Sequence, residues 1–247
     1  MLVDWLHWFL PAIARVWQGA SPYADPGIFN PIWTFWLLLP VHFLPPSIAT
    51  IAGFALPYVA LVYVAVKFKK PSIIAIVGLS HPFLQLAWYG NIDWLILFGL
   101  VEINALMPFF LLIKPQASAL IMASWVRGRT IRQLAILFVP AIVALLLNAL
   151  FYPDWLGNMV SVTGRLNQTT NFSFFPYSLI IGLPLLYLAY RKNNALYGAI
   201  ASLLCSPYFF MHSLVPAFVL LTVSHKRLAI ALNLFFWIIF IGLAIKG

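Results

Sequence analysis

QLAILFVPAIVALLLNALF, running from Gln133 to Phe151, carries no charge and is almost wholly apolar. As a helix rising 1.5 Å per residue it spans roughly 28 Å, the thickness of a bilayer's hydrocarbon core. It is solidly apolar rather than alternating, which excludes a strand of a membrane β-barrel. Apolar runs of this kind recur from Pro31 to the C-terminus, with room for about eight spans at ~20 residues each. Of the 247 residues, 64% are hydrophobic, 17% aromatic and only 8% charged. Soluble domains carry roughly 25% charged residues, and disordered chains lack this much apolar surface. The expected fold is all-α: a polytopic integral membrane protein of about eight transmembrane helices plus two short re-entrant or interfacial helices. The lone Cys205 permits no intrachain disulfide.

The net charge of +9 does not point to nucleic acid, because the basic residues stand in small clusters between apolar runs. Lys67, Lys69 and Lys70 form one, Arg127, Arg129 and Arg132 a second, Arg191 and Lys192 a third, Lys226 and Arg227 a fourth. The positive-inside rule places all four on the cytoplasmic side of the cell membrane. Spans at Ser47–Val66, Ser72–Trp88, Ile92–Ile113, Gln133–Phe151, Pro176–Tyr190, Ala195–Ser206, Ser213–Val223 and Leu228–Ile245 satisfy that demand. Pro31–Phe43 and Gln116–Trp125 are too short to cross and are predicted not to.

This topology makes residues 1–247 a single membrane domain, with an exterior interfacial segment over residues 1–30 and an exterior loop over 152–175. Four of the five acids, Asp4, Asp25, Asp93 and Asp154, fall outside, and ten of the fourteen basic residues inside. A connection as long as 152–175 is itself a functional signal. Trp5, Trp8, Phe9 and Trp17, mixed with Asp4, His7, Arg15 and Gln18, predict an aromatic-anchored helix lying in the interface. Nothing in this segment has the pattern of a signal peptide.

Several motifs occur in one order: Asp4-Trp5-Leu6-His7-Trp8, then Gln18-Gly19-Ala20-Ser21-Pro22, Phe29-Asn30-Pro31, Gly90-Asn91-Ile92-Asp93, Ile113-Lys114-Pro115-Gln116, Asn167-Gln168-Thr169, and Ser206-Pro207 with His212 behind it. In this the chain resembles the polyprenyl-phosphate-sugar-dependent glycosyltransferases of the GT-C fold, in the mannosyltransferase branch. The resemblance implies transfer of a hexose, mannose in that branch, from a polyprenyl-phosphate donor to an exterior acceptor with inversion. The lipid-linked sugar is then a substrate, and no cofactor is required. Family members carry a transmembrane helix ahead of the acidic motif and are longer. Here Asp4 follows Met1 closely, so an upstream start, a partner chain supplying that helix, or a shortened non-catalytic subunit of a larger membrane complex are the expectations.

An inverting transfer needs one base, and Asp4 matches the family's first-loop acid. The leaving phosphate needs cations or hydrogen-bond donors. His212 and Arg165 are the candidates to touch it, with Asn30, His7, Asn91, Asn167 and Gln168 as further substrate-binding residues. Asn91 with Asp93 reads as the cap of the helix that follows, and Glu102 as a neutral carboxyl near mid-membrane bonded to Asn104 or a neighbouring helix. Lys114 is placed on the cytoplasmic side, snorkelling to headgroups. Trp33, Phe35, Trp36 and Phe43 form an aromatic belt or a groove for an isoprenoid tail. No spacing of His, Cys, Asp and Glu proposes a metal site, and no glycine-rich loop proposes a nucleotide.

Overall fold

The structure, a computed structural model, describes residues 1–25, 27–161 and 171–246, and every regular element among them is helical. The chain opens on a π-helical turn, Trp5–Phe9, that runs into α1 (Leu10–Trp17). Part of this segment docks into the protein. Trp5 is fully buried and its Nε1 donates to the Ala49 carbonyl at 2.8 Å, while Leu2 N donates to the Trp88 carbonyl at 2.6 Å. Two glycines make room for the indole. A Cβ on Gly53 would lie 2.4 Å from Trp5 Cδ1, and one on Gly90, whose φ of +67° already favours glycine, 2.5 Å from Trp5 Cβ. Gly53→Val therefore overpacks the socket at a cost of about 1–3 kcal/mol. The melting temperature of the detergent-solubilised protein should fall by roughly 5 °C; unchanged melting would mean that Trp5 does not dock there.

After α2 (Ile32–Leu38) and a 3₁₀ turn over Leu39–Phe43 comes α3 (Pro46–Lys67), started by Pro46, whose missing N–H costs nothing in a first turn. α3 is long and apolar enough to cross a membrane. α4 (Ser72–Gly78) and α5 (His81–Tyr89) are bent by 73° where Ser80 Oγ caps the Phe83 N–H, and together they make at most one broken span.

The predicted span Ile92–Ile113 is not one helix. Ile92–Leu100 winds as a 3₁₀ helix parallel to α3, so that Phe98 meets Tyr63 and Glu102 then meets Lys67. The chain turns at Glu102–Asn104, and α6 (Met107–Leu111) climbs back. Phe110 packs on Phe98, and Leu111 lies so close to Gly99 that a Cβ there would be 2.7 Å from it. The stretch is a hairpin whose two ends meet. Glu102 lies half-exposed at the tip of the hairpin and not inside a long helix, and it meets a neighbouring helix through Lys67 Nζ of α3 at 2.7 Å.

α7 (Pro115–Ser118) and the 3₁₀ helix Ala119–Trp125 descend again towards Arg127, which donates to the Arg191 carbonyl. α8 (Ile131–Phe151) starts at a capping box between Thr130 and Gln133 and is the second helix apolar and long enough to span. α9 (Pro153–Ser161) follows. α10 (Leu179–Lys192), α11 (Ala195–Leu204) and α12 (Val215–Ser224) have 14, 10 and 10 residues, short of the ~20 that a perpendicular crossing needs. α13 (Lys226–Lys246) runs alongside α4 and α5, with Asn233 bonded to the Ile76 carbonyl and Trp237 to that of Leu79. Among the described residues, then, two helices are fit to cross a membrane, or three with the bent pair.

These contacts sort the molecule into two ends. Lys67, Arg127, Arg191 and Lys226 lie at the helix ends remote from Asp93, whereas the N-terminal segment, the α5 C-terminus, Lys114 and the turn after α11 gather at the other. Several bonds fix the loop before α2 at that second end. Arg15 pairs with Asp25, Trp155 Nε1 donates to the Phe29 carbonyl at 2.8 Å, and Asn158 Nδ2 faces the carbonyls of Tyr23, Asp25 and Ile28.

Candidate functional site

Asn91 stands where α5 gives way to the hairpin, and its two amide atoms do different work. Oδ1 accepts from Asp93 N at 3.1 Å, capping the 3₁₀ helix, and Nδ2 donates to Asp4 Oδ2 at 2.9 Å. Asn91 is the cap, as the sequence predicts, and the Asp93 part of that reading is corrected, since Asp93 occupies the first turn without capping it. Its carboxylate is free to turn inward, where it is 1% exposed.

The hairpin returns Lys114 to that carboxylate. Lys114 is 3% exposed, with Nζ 2.7 Å from Asp93 Oδ2 and 3.1 Å from His212 Nε2. The snorkelling cytoplasmic lysine is thus corrected: the predicted crossing doubles back, so Lys114 lies at the same end as Asp4. His212, 4% exposed, comes from the 3₁₀ turn Met211–Leu214, and Ser213 Oγ is 3.5 Å from the same Asp93 oxygen. Asn30 Nδ2 donates to the Ile113 carbonyl at 2.9 Å, bracing the backbone beside Lys114, and Tyr23 Oη holds the Asn30 carbonyl.

Two cavities flank this cluster. The first, about 150 Å³, is bounded by Asp4, Asn30, Asn91, Asp93 and Lys114 between the aromatic faces of Trp8, Phe29 and Phe210. The second, about 370 Å³, is lined by Asp4, Gln85, Tyr89, Phe172, Phe210 and His212. Asp4 and Phe210 belong to both. The structure therefore brings Asp4, Asn30, Asn91 and His212 together. His7 is exposed and borders neither cavity. Arg165, Asn167 and Gln168 lie outside the described residues. Trp33 and Trp36 line a separate apolar cavity of about 440 Å³ with Phe109 and Phe151, whereas Phe35 is fully buried and Phe43 packs on Trp17. No group of three or more His, Cys, Asp or Glu that could hold a metal occurs among the described residues.

Lys114, Asp93 as an ionic partner, Gln85 and Tyr89 escaped the sequence reading. Lys114 carried a signal, since a charge is rare in this chain and the Ile-Lys-Pro-Gln motif was in sequence order.

Burial and the neighbouring Lys114 charge hold His212 well below the ordinary imidazole range, so the ring stays neutral and accepts from Lys114. In the unfolded chain the imidazole takes a proton near pH 6.5; the folded one resists it. This contribution is complete above that pH and is lost as pH falls, at about 1.4 kcal/mol per unit below roughly pH 6. His212→Gln keeps an acceptor for Lys114 without titrating. The difference in melting temperature between wild type and variant should narrow on acidification from pH 8 to 5, and a constant difference would contradict a neutral buried His212.

Compared with protein-family models, with curated proteins and with solved structures, the chain gives no match.

Proposed function

We propose that the chain is an integral membrane glycosyltransferase that moves a hexose from a polyprenyl-phosphate donor to an acceptor on the exterior face of the cell membrane. The observation that carries the reading is Asp4: a partly exposed carboxylate, held by Asn91, at the meeting point of two cavities, one of which bears Lys114. Asp4 takes the proton of the acceptor hydroxyl as its oxygen bonds to the anomeric carbon. The bond from that carbon to the phosphate oxygen breaks, the electron pair stays on oxygen, and the configuration inverts.

Lys114 has three N–H donors, and its contacts with Asp93 and His212 leave one for a phosphate oxygen. Two carboxylates against one ammonium leave the cluster with excess negative charge when both are ionised. Arg165 of the exterior loop is proposed to supply the second cation. The Trp33–Trp36 cavity, which Ile32 and Asn148 also line, suits an isoprenoid tail. The eight-crossing topology survives in this reading in altered form, with the hairpin re-entrant, Pro115–Trp125 crossing in its place, and α10 to α12 crossing at a tilt or in broken form.

The test is donor binding. Purified protein should retain undecaprenyl phosphate in native mass spectrometry, and Lys114→Met combined with Asp93→Asn should lose it. No retention by wild type would remove the donor site and favour the non-catalytic membrane subunit.

A further inference from the structure

Two segments far apart in sequence bring their cations together at the end of the molecule remote from Lys114. Arg127 and Arg129 belong to the turn ahead of α8, and Arg191 and Lys192 close α10. Arg127 Nη1 donates to the Arg191 carbonyl, which uses one of its five N–H groups and sets its guanidinium at the α10 terminus. The Arg191 guanidinium lies over the Tyr187 ring at 6.0 Å and Lys192 Nζ over that of Tyr197 at 5.7 Å; Arg127, Arg191 and Lys192 are all exposed. Like charges gathered in this way repel unless an anion stands among them. No acidic side chain of the protein supplies one. Its acids are Asp4, Asp25, Asp93, Glu102 and Asp154. Asp25, Glu102 and Asp93 pair with Arg15, Lys67 and Lys114, Asp4 is held by Asn91, and Asp154 lies in the first turn of α9, past the far end of α8.

The surface that leads to these cations is apolar. Ile180, Leu183 and Tyr187, all exposed, stand three and four residues apart on α10, and Arg191 continues the same stripe. From Ile180 to Arg191 the helix rises about 16 Å, close to the half-thickness of a bilayer's hydrocarbon core, about 15 Å. A chain laid along the stripe therefore ends with its headgroup at Arg191. A zwitterionic headgroup brings its own ammonium into the cluster, where it is repelled; a headgroup of net negative charge brings none to offset its attraction.

We propose that the Arg127–Arg129 turn and the end of α10 form a binding site for a glycerophospholipid of net negative charge, its phosphate between the guanidinium groups of Arg127 and Arg191 and an acyl chain on Ile180, Leu183 and Tyr187. Lys192 adds to the field around the phosphate. The site requires no sugar transfer and is separate from the cavities at Asp4.

The test is native mass spectrometry of the full chain in detergent with equal amounts of phosphatidylglycerol and phosphatidylcholine of the same acyl chains. Wild type should retain phosphatidylglycerol at least about tenfold more strongly. Arg127→Gln, Arg191→Gln and Lys192→Gln together should abolish the preference, and the amide at position 127 can still donate to the Arg191 carbonyl. Removing as many charges elsewhere on the same side, by Lys70→Gln, Lys226→Gln and Arg227→Gln, should leave it unchanged. Equal retention of the two lipids by wild type overturns the proposal without any variant. So does a preference that survives the first triple variant, or one that falls as far in the second, which would make it a property of overall charge. Should the first triple variant fail to fold, salt decides: raising ammonium acetate from about 0.05 to 0.5 M should cut the wild-type preference several-fold, and a preference indifferent to salt overturns the site. Undecaprenyl phosphate retention should not change in the first triple variant; its loss there would give the site to a polyprenyl phosphate and overturn the glycerophospholipid assignment. Wild type that retains no undecaprenyl phosphate but selects phosphatidylglycerol through these cations refutes the donor reading and leaves this site standing.

Discussion

Lys114→Met should be among the most damaging single substitutions in this chain. It leaves the Asp93 carboxylate, 1% exposed, without its cation, and leaves His212 Nε2 without its donor. Removing one partner of a buried ion pair costs about 3–5 kcal/mol, because the charge left behind is neither solvated nor compensated. For a chain of this size that is a fall of roughly 10 °C in melting temperature, or failure to accumulate in the membrane. The same argument predicts rescue. Adding Asp93→Asn removes the stranded charge, so the double variant should regain most of the stability. It should not regain donor binding, which needs the ammonium itself. A double variant as unstable as the single one would show that Lys114 acts through packing of its stem, and a single variant as stable as wild type would dissolve the pair.

The hydropathy of Gln133–Phe151 and Ser47–Val66 identified α8 and α3 almost to their ends, since an uncharged apolar run about as long as a membrane is thick leaves few alternatives. Ile92–Ile113 misled for a physical reason: averaged over a membrane's width it is apolar, and the average conceals the polar Glu102 and Asn104 that sit at a turn. The small Gly99 permits the close return, yet a glycine within an apolar run is equally at home in a span. Once the run is taken as a crossing, Lys114 must be placed on the wrong side, and its pairing with Asp93 is lost. The candidate site was partly legible. Asp4, Asn30, Asn91 and His212 could be named from motif order, but no periodicity in the sequence relates Asp93 to Lys114 and His212. That relation exists only through the hairpin and the 3₁₀ turn that carries His212.

Asp4→Asn should lower sugar transfer by about 10²–10⁴-fold, the usual worth of a positioned general base. The substitution keeps the shape of the side chain, and its amide oxygen can still accept from Asn91 Nδ2. Trp5, next in the chain, remains locked between Gly53 and Gly90, so the segment should stay docked and the melting temperature should change little. Undecaprenyl phosphate retention should persist or rise, because a negative charge beside the phosphate has gone. That combination of lost turnover with retained donor separates a base from a structural carboxylate. If retention and turnover fall together with stability, Asp4 is a structural group and the mechanism fails.

The most direct measurement is sugar transfer by the wild-type chain. Proteoliposomes holding the purified protein and polyprenyl-phosphate-[³H]mannose, supplied with methyl α-mannopyranoside as the neutral hydroxyl acceptor, should release label from the lipid into a disaccharide. The anomeric configuration of the product should be inverted relative to the donor, and Asp4→Asn proteoliposomes should release none above background. Label that stays on the lipid in wild-type proteoliposomes, with the donor demonstrably bound, or that leaves equally fast with Asp4→Asn, would contradict catalysis at Asp4.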